Sequence, residues 1–391
     1  MMLSIRRMTI FSLSAIIALV TFISPVGAAE AAIQAIAFPE VPASFQKSKL
    51  PNILVIGTGG TIAGQSTDET SFQTYRAGTL LIKDMVKSLP NLDKMADVET
   101  VQFGNKDSSA YLMDDLASLS MTVDAALKKY DGVVVTTGTD TMEEIGYFLD
   151  LTVRSSKPVV ITGSMRPWTV IGSDAPANLF NAIKLAASGK TKKFGTVLML
   201  NDEIHAVREV TKANAMRLDT FESPGFGPLG YIDESIIQIY RVPTRALKTD
   251  AEWATPFDLS KLPKAGFSKV EIAYSYQGAG GEAIKGFVDG GAKGIVTAGT
   301  GAGGISAAMR EERTKAIEKG VVFVTTTRTG SGNIYGGGDG ILAGDNLNAA
   351  HARILLMLTL TYTSDFPTMQ KWFTTYGALE VPEDTTVKAA A

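Results

Sequence analysis

Residues that could carry out nucleophilic or acid–base chemistry follow three apolar runs of this 391-residue chain. Thr61 stands in a glycine-rich segment, residues 57–64, directly after one run. Thr139 and Asp140 follow a second run, and Lys212 ends a polar stretch that follows a third. A threonine hydroxyl can act as a nucleophile when a neighbouring group takes its proton. A single lysine carries little information because most lysines are solvated.

The glycine-rich segment permits more than one interpretation. A dinucleotide-binding loop with the pattern G-x-G-x-x-G would need glycine where Ile62 stands, and a helix directly after it. Residues 65–71 are polar and lack an apolar period, so phosphate binding is disfavoured. The alternative is a tight turn at Gly59 and Gly60 that exposes Thr61 at the strand end. A threonine in a turn is also commonly structural, so this motif alone does not decide.

The segment that contains Thr139 and Asp140 predicts the start of a helix. Thr141 and Glu144 have the spacing of a capping box, which predicts a helix that runs through Leu151. Simple capping would explain a threonine and an aspartate here. The functional alternative is that the amino end of the helix offers its N–H groups to an anionic ligand group.

Short β-branched runs recur along the chain, with amphipathic helical patterns between them. The runs are residues 53–56, 133–136, 159–162, 197–200, 270–274, 295–297 and 321–325. They are continuous rather than alternating, which is typical of strands buried on both faces of a parallel sheet. The predicted fold is therefore α/β, with a larger N-terminal parallel-sheet domain of flavodoxin-like type and a smaller C-terminal α/β domain. In such sheets ligands bind at the carboxyl ends of the strands.

The predicted domain boundaries follow changes in composition. Residues 243–266 contain three prolines and no periodic apolar face, so we interpret them as a linker. The larger domain then covers residues 50–242 and the smaller one residues 267–391. Residues 1–28 have the layout of a signal peptide, with two arginines, an uncharged apolar run and small residues at the cleavage site. This layout predicts a periplasmic protein that is not held in the membrane after cleavage.

The composition excludes several classes of protein. The chain has no cysteine and two histidines, so disulfides, thiolate chemistry and multi-histidine metal sites within one chain are excluded. The formal net charge of −3 argues against a nucleic-acid binder, which would need a basic face. We therefore expect no cofactor, no metal ion and no nucleic-acid partner.

Taken together, several segments resemble the bacterial type II (periplasmic) L-asparaginase and glutaminase-asparaginase family. They are residues 59–64, 137–144, 163–167, 174–179 and the segment around Lys212. The resemblance covers about residues 51–360. It implies two α/β domains and a homotetramer of intimate dimers, with each active site between the larger domain of one subunit and the smaller domain of its neighbour.

The same resemblance implies roles for individual residues. Thr61 matches the nucleophile, and Tyr75 matches a tyrosine that activates it from a mobile lid. Thr139, Asp140 and Lys212 match a second catalytic group. The implied substrate-binding residues are Gly60, Asn105, Lys106, Gly138, Thr139, Asp140 and Ser164.

Three departures from the family pattern concern recognition of the substrate α-amine. Lys106 stands where the family has glutamine or glutamate, and Ala302 stands where it usually has asparagine. The stretch after Gly330 is shorter and offers no evident glutamate for the ammonium. We therefore expect hydrolysis of L-asparagine to L-aspartate and ammonia through an acyl-threonine. The alternatives are a glutaminase-asparaginase, a hydrolase of a related amide with altered α-amine recognition and, less favoured, a solute-binding protein without catalysis or a nucleotide-dependent oxidoreductase.

Overall fold

The computed structural model describes residues 33–378, so the predicted signal peptide, residues 1–28, lies outside the described residues. The described strands are β1 Asn52–Gly59, β2 Asp97–Lys106, β3 Gly132–Thr136, β4 Val159–Thr162, β5 Thr196–Leu200, β6 Glu203–Ala206, β7 Thr211–Lys212, β8 Phe221–Glu222, β9 Gly230–Asp233, β10 Ile236–Ile239, β11 Val270–Tyr274, β12 Gly294–Gly299, β13 Val322–Thr327 and β14 Ile341–Ala343. The described α-helices are α1 Ile82–Ser88, α2 Met113–Ala126, α3 Met142–Thr152, α4 Ala175–Ser188, α5 Asp250–Trp253, α6 Glu282–Asp289, α7 Ala307–Glu318, α8 Ala349–Tyr362 and α9 Phe366–Trp372. None of the described helices has both the length and the apolar character needed to span a bilayer.

The larger sheet has the strand order β10-β9-β6-β5-β4-β3-β1-β2. Its strands from β2 to β5 pair in parallel, and the remaining three extend the sheet in antiparallel pairs. Helices cover both faces, because Leu54 and Ile56 pack towards α2 and α3 whereas Ile53 and Val55 pack towards α1 and α4. Burial on both faces explains why β1, β3, β4 and β5 contain continuous apolar runs.

The smaller sheet is fully parallel, with the order β11-β12-β13-β14. Helices α6 and α7 pack on one face, and α8 packs on the other. Helix α8 also joins the hydrophobic core of the larger sheet, where its His351 ring lies 4.9 Å from the Tyr147 ring of α3. The predicted α/β fold class, with a larger and a smaller sheet, is confirmed.

The predicted capping box at the start of α3 is wrong. The Thr141 side chain makes no capping hydrogen bond, and its hydroxyl has no partner among the described residues. The Thr141 N–H instead donates to the Ser108 hydroxyl, 3.2 Å away. A tertiary contact from the loop after β2 therefore replaces the local cap that the spacing predicted.

The segment predicted as a linker is packed against the body of the protein. Residues 243–266 include α5, and Trp253, Phe257 and Leu259 are buried there. The sequence showed no period because Trp253 ends the four-residue α5, Phe257 lies in a loop and Leu259 begins a short 3-10 turn. The boundaries themselves, with domains at residues 50–242 and 267–391, remain a proposal.

Candidate active site

Two of the predicted motifs meet where the order of the parallel strands reverses. Strand β1 lies between β2 and β3, so the chain leaves β1 and β3 in opposite directions and opens a crevice at their carboxyl ends. Thr61 begins a short 3-10 turn after β1, and Thr139 lies in the loop between β3 and α3. This topology brings together segments that are more than seventy residues apart in the sequence.

Gly60 joins these two loops by direct backbone contact. Its dihedrals, φ 78° and ψ −168°, belong to a region that only glycine adopts readily. A Cβ atom on Gly60 would overlap the backbone of Gly138. The Gly60 N–H donates to the Lys106 carbonyl at 3.0 Å, and its carbonyl accepts from the Gly78 N–H at 3.2 Å. The backbone next to Thr61 is therefore fixed from three sides.

We expect Gly60→Ala to remove activity and to lower the free energy of unfolding by roughly 2 kcal/mol or more, from dihedral strain and overlap together. Urea unfolding and ammonia release measure the two effects. Gly320→Ala is the matched control, because Gly320 also has positive φ, 83°, but no atom lies within 4 Å of its added Cβ. Equal losses in both variants would contradict the role of the Gly60–Gly138 contact.

Tyr75 is placed directly on the predicted nucleophile. Its hydroxyl lies 2.6 Å from the Thr61 hydroxyl. The segment that carries Tyr75 is closed at its base by Gln65 and Arg76, whose backbones exchange two hydrogen bonds of 3.0 Å. Residues 65–76 therefore form a lid, and its position brings Tyr75 within reach of a proton on Thr61.

A second segment, residues 166–171, makes contacts that fix the position of the lid. The Trp168 N–H donates to the Gly64 carbonyl at 3.1 Å, and the Ile171 N–H donates to the Glu69 carbonyl at 2.8 Å. The Arg166 guanidinium lies 4.5 Å from the centre of the Phe72 ring. No sequence pattern predicts these contacts, because the residues that make them are about a hundred positions apart.

Lys212, Thr139 and Asp140 form one hydrogen-bonded group. The Lys212 ammonium donates to the Thr139 hydroxyl at 2.9 Å and to the Asp140 carboxylate at 2.7 Å. The Lys212 side chain is 14% exposed, whereas the Asp140 side chain is 77% exposed. Both side chains thus fix the position of the Lys212 ammonium, and most of the Asp140 side chain remains accessible to a ligand.

Three predicted substrate-binding side chains are engaged elsewhere. The Asn105 side chain accepts from Gln102 at 2.6 Å, and the Lys106 ammonium donates to Asp115 at 3.4 Å. Lys106 also lies over the Tyr111 ring, with half of its side chain exposed. These contacts pair Lys106 with a carboxylate of its own chain.

Ser164 is fully buried and donates its hydroxyl to the Arg166 carbonyl at 2.6 Å. In the structure this hydroxyl stabilises the turn that leads into residues 166–171. Its contact with substrate stays a prediction.

A buried group of titratable side chains lies behind Lys212, between α3 and α8. Burial raises the pKa of Glu143 from 4.5 to about 7. Burial, together with the nearby Arg208 guanidinium, lowers the pKa of His351 from 6.5 to about 3. The His351 Nε2 atom lies 3.7 Å from Oε2 of Glu143. The sequence analysis did not find this group.

The His351 pKa predicts a stability effect of known sign. Because the folded protein resists protonation of His351, the unfolded chain binds more protons between about pH 6.5 and 3, and stability is lost as pH falls through this window. His351→Phe keeps a ring against Tyr147 but removes the titrating group. We expect its free energy of unfolding, relative to that of wild type, to rise by about 2 kcal/mol when the pH falls from about 7 to 5. Urea unfolding at both pH values measures this difference. A difference independent of pH would contradict the lowered pKa.

Comparison with known proteins gives matches over both domains. Residues 52–245 match the family model "Asparaginase, N-terminal", and residues 269–373 match "Glutaminase/Asparaginase C-terminal domain". The chain is 41% identical to L-asparaginase 2 of Bacillus subtilis, over 85% of this chain and 88% of the relative. It is 37% identical to a probable periplasmic L-asparaginase of Haemophilus influenzae, over 83% of this chain and 93% of the relative.

A solved structure shares the fold. It is that of a probable cytoplasmic L-asparaginase from Campylobacter jejuni, with a TM-score of 0.78, 37% identity, and coverage of 83% of this chain and 100% of that one. The predicted periplasmic location is wrong on this comparison, because this structural relative is named as cytoplasmic. The residues that led to the prediction, 1–28, lie outside the part of the chain that the structure describes.

Proposed function

The chain belongs to the asparaginase family and is an amidohydrolase that acts on L-asparagine, and we propose that the reaction passes through a covalent ester on Thr61. One observation carries this proposal. The Thr61 and Tyr75 hydroxyls lie 2.6 Å apart, next to Gly60. The backbone of Gly60 contacts that of Gly138, which directly precedes the Thr139–Asp140 pair bound by Lys212. The geometry supports the proposal because the proposed nucleophile, its proposed proton acceptor and a charged hydrogen-bond group lie on adjoining segments.

The proposed chemistry has two steps. In the first, the Thr61 oxygen attacks the side-chain amide carbon, the C–N bond breaks, and the hydroxyl proton passes through Tyr75 to the leaving nitrogen, which departs as ammonia. In the second, water attacks the ester, releases L-aspartate and returns a proton to Thr61. Splitting the reaction is useful because an amide is a poor electrophile.

The loop before α3 is suited to stabilise the charge that develops on the amide oxygen. The N–H of Thr137 donates to Thr162, and that of Thr141 donates to Ser108. Among the described residues, no acceptor pairs with the N–H groups of residues 138–140. We propose that these groups bind the oxyanion, while Lys212 orients Thr139 and Asp140 pairs with the substrate ammonium.

Recognition of the α-amine is a further part of the proposal. Because Lys106 is paired with Asp115 and half exposed, its charge is screened from the crevice. We expect Lys106→Gln to change kcat/KM for L-asparagine by less than about fivefold, since the energy of an exposed pair in water is ~1 kcal/mol. Steady-state kinetics with L-asparagine and its des-amino analogue measure this. A tenfold or larger gain for L-asparagine alone would place Lys106 against the ammonium.

L-Glutamine is the close alternative substrate. It differs from L-asparagine by one methylene, which a pocket discriminates by only ~1–3 kcal/mol. The family model that matches residues 269–373 also carries glutaminase in its description. A hydrolase of a related amide with altered α-amine recognition is favoured by Ala302, which lies on an exposed turn after β12.

We also propose that the active protein is a homotetramer of intimate dimers. Three tyrosines at the carboxyl end of the smaller sheet, Tyr274, Tyr276 and Tyr335, have more than half of their surface exposed. Such aromatic side chains are enriched at protein interfaces. Light scattering on fractions assayed for activity tests this, and a fully active monomer would contradict it.

Ammonia release from L-asparagine and L-glutamine, compared side by side, tests the proposed substrate. A higher kcat/KM for L-asparagine supports the proposal. A preference for L-glutamine would favour the alternative, and absence of turnover with both would contradict hydrolysis of these amides.

A further inference from the structure

We propose that Glu143 is a positioning residue for Lys212, and that the C-terminal domain takes part in this positioning through Asn348. The inference rests on the proposed function of Lys212. It concerns the buried group between α3 and α8, and in the described part of the chain no hydrogen bond or ion pair joins this group to the Thr61 side chain. It predicts that a change in the C-terminal domain of the same chain alters the rate of the chemical step.

The first support is the position of Glu143 between the loop and the strand that carry the Lys212 group. Glu143 lies in the first turn of α3, directly after the Thr139–Asp140 loop. The neighbouring Thr211 hydroxyl and Lys212 backbone N–H both lower the pKa of Glu143, against the larger effect of burial. The Glu143 carboxylate therefore lies near both residues of β7 as well as at the helix start that carries Asp140.

The second support is the double role of Asn348. Its side-chain oxygen accepts from the His351 N–H at 2.8 Å and so caps α8. Its side-chain nitrogen donates to the Glu143 carboxylate at 3.2 Å. The orientation that caps α8 is thus the one that directs an N–H donor at Glu143.

The third support is that Glu143 has few positive partners for a buried carboxylate. Glu144 on its own helix opposes its charge, and the facing His351 ring is neutral at ordinary pH because of its lowered pKa. Arg208 lies beyond His351 and bonds to the Gly377 carbonyl and to Asp345. The groups that favour the ionised form of Glu143 are therefore the neutral donors of Thr211, Lys212 and Asn348, which link its charge to the Lys212 segment and to α8.

The test compares Glu143→Gln and Asn348→Asp in the full-length protein. Glu143→Gln turns an NH₂ group towards existing donors, so we expect kcat for L-asparagine to fall about tenfold or more, with KM changed less than about twofold, because Lys212 is displaced. Asn348→Asp still caps α8 but faces Glu143 with a carboxylate instead of a donor, so we expect the same kinetic signature. A merely structural role would leave kcat per folded enzyme unchanged.

The pH profile separates positioning from general damage. In wild type we expect kcat to decline below about pH 7 as Glu143 becomes protonated, and this decline should be absent in Glu143→Gln. In Asn348→Asp the added carboxylate disfavours ionisation, so the decline should move to higher pH. Profiles that coincide in all three proteins would overturn the proposal.

Ser306→Ala is the matched control. Ser306 caps α7 in the same domain by accepting from the Met309 N–H at 3.1 Å, so its loss weakens a comparable helix end far from Glu143. We expect a lower melting temperature with unchanged kcat. If Glu143→Gln and Asn348→Asp behave like this control while Lys212→Met remains inactive, the inference fails and the proposed function stands. If Lys212→Met is fully active, the proposed function of Lys212 fails first.

Discussion

Thr61→Ala is expected to lower kcat for L-asparagine by at least ~10⁴-fold, because Thr61 carries the one hydroxyl that hydrogen-bonds to the Tyr75 hydroxyl within residues 33–378. The Thr61 side chain makes one hydrogen bond among the described residues, to Tyr75 at 2.6 Å, so its removal should leave the fold intact. Ammonia release at substrate saturation measures the effect, with circular dichroism to verify folding.

The hydroxyl rather than the side-chain volume should determine this loss. Thr61→Ser keeps the oxygen and removes only a methyl group, so it should retain a substantial part of the activity, whereas Thr61→Val keeps the shape and should be inactive. An active Thr61→Val variant would assign the nucleophile to another group, and the ester on Thr61 would be rejected.

Lys212→Met carries the second largest expected effect. Methionine fills a similar volume but cannot donate to Thr139 and Asp140, so both side chains lose their shared partner. We expect kcat to fall by roughly 10²–10⁴-fold, the usual range for loss of a group that manages a proton or a developing charge. The loss should be larger for kcat than for binding, because Asp140 is still present to pair with the substrate ammonium.

The control for this variant is Lys285→Met. Lys285 also pairs with an aspartate, Asp289, at 2.5 Å, but both side chains are more than half exposed on α6. An exposed pair of this kind contributes little, so activity and stability should stay close to wild type. Comparable losses in Lys285→Met and Lys212→Met would show that removal of an ion pair in general, rather than this group, causes the effect.

The sequence predicted the parallel strands that form continuous apolar runs, namely β1, β3, β4, β5, β11, β12 and β13. It missed the parallel edge strands β2 and β14, most of whose residues are only partly buried. Residues 159–162 and 270–274 coincide with β4 and β11. The antiparallel strands β6, β9 and β10 escaped prediction because each has only four residues, and β9 and β10 are also partly exposed, which leaves no run or period long enough to detect.

The candidate site likewise has residues that the sequence points to and residues that only the structure reveals. Thr61, Thr139 and Lys212 stand at strand ends, where the sequence directs attention in any α/β protein. Glu143 and Asn348 could not be paired from the sequence, because they are 205 residues apart and meet only through packing of α3 on α8. The motif that contains Lys106 predicts contact with substrate and leaves pairing with a carboxylate open, and only the structure identifies Asp115 as that carboxylate.

The most direct test of the central claim is the partition of the enzyme-bound acyl group between water and hydroxylamine. Wild-type enzyme is given L-asparagine or the β-methyl ester of L-aspartate, each with hydroxylamine, and the ratio of aspartyl hydroxamate to L-aspartate is measured. A shared acyl-Thr61 intermediate predicts the same ratio from both substrates, because ammonia and methanol have left before partition occurs. A ratio that depends on the leaving group would contradict the covalent intermediate and favour direct attack of water on the amide.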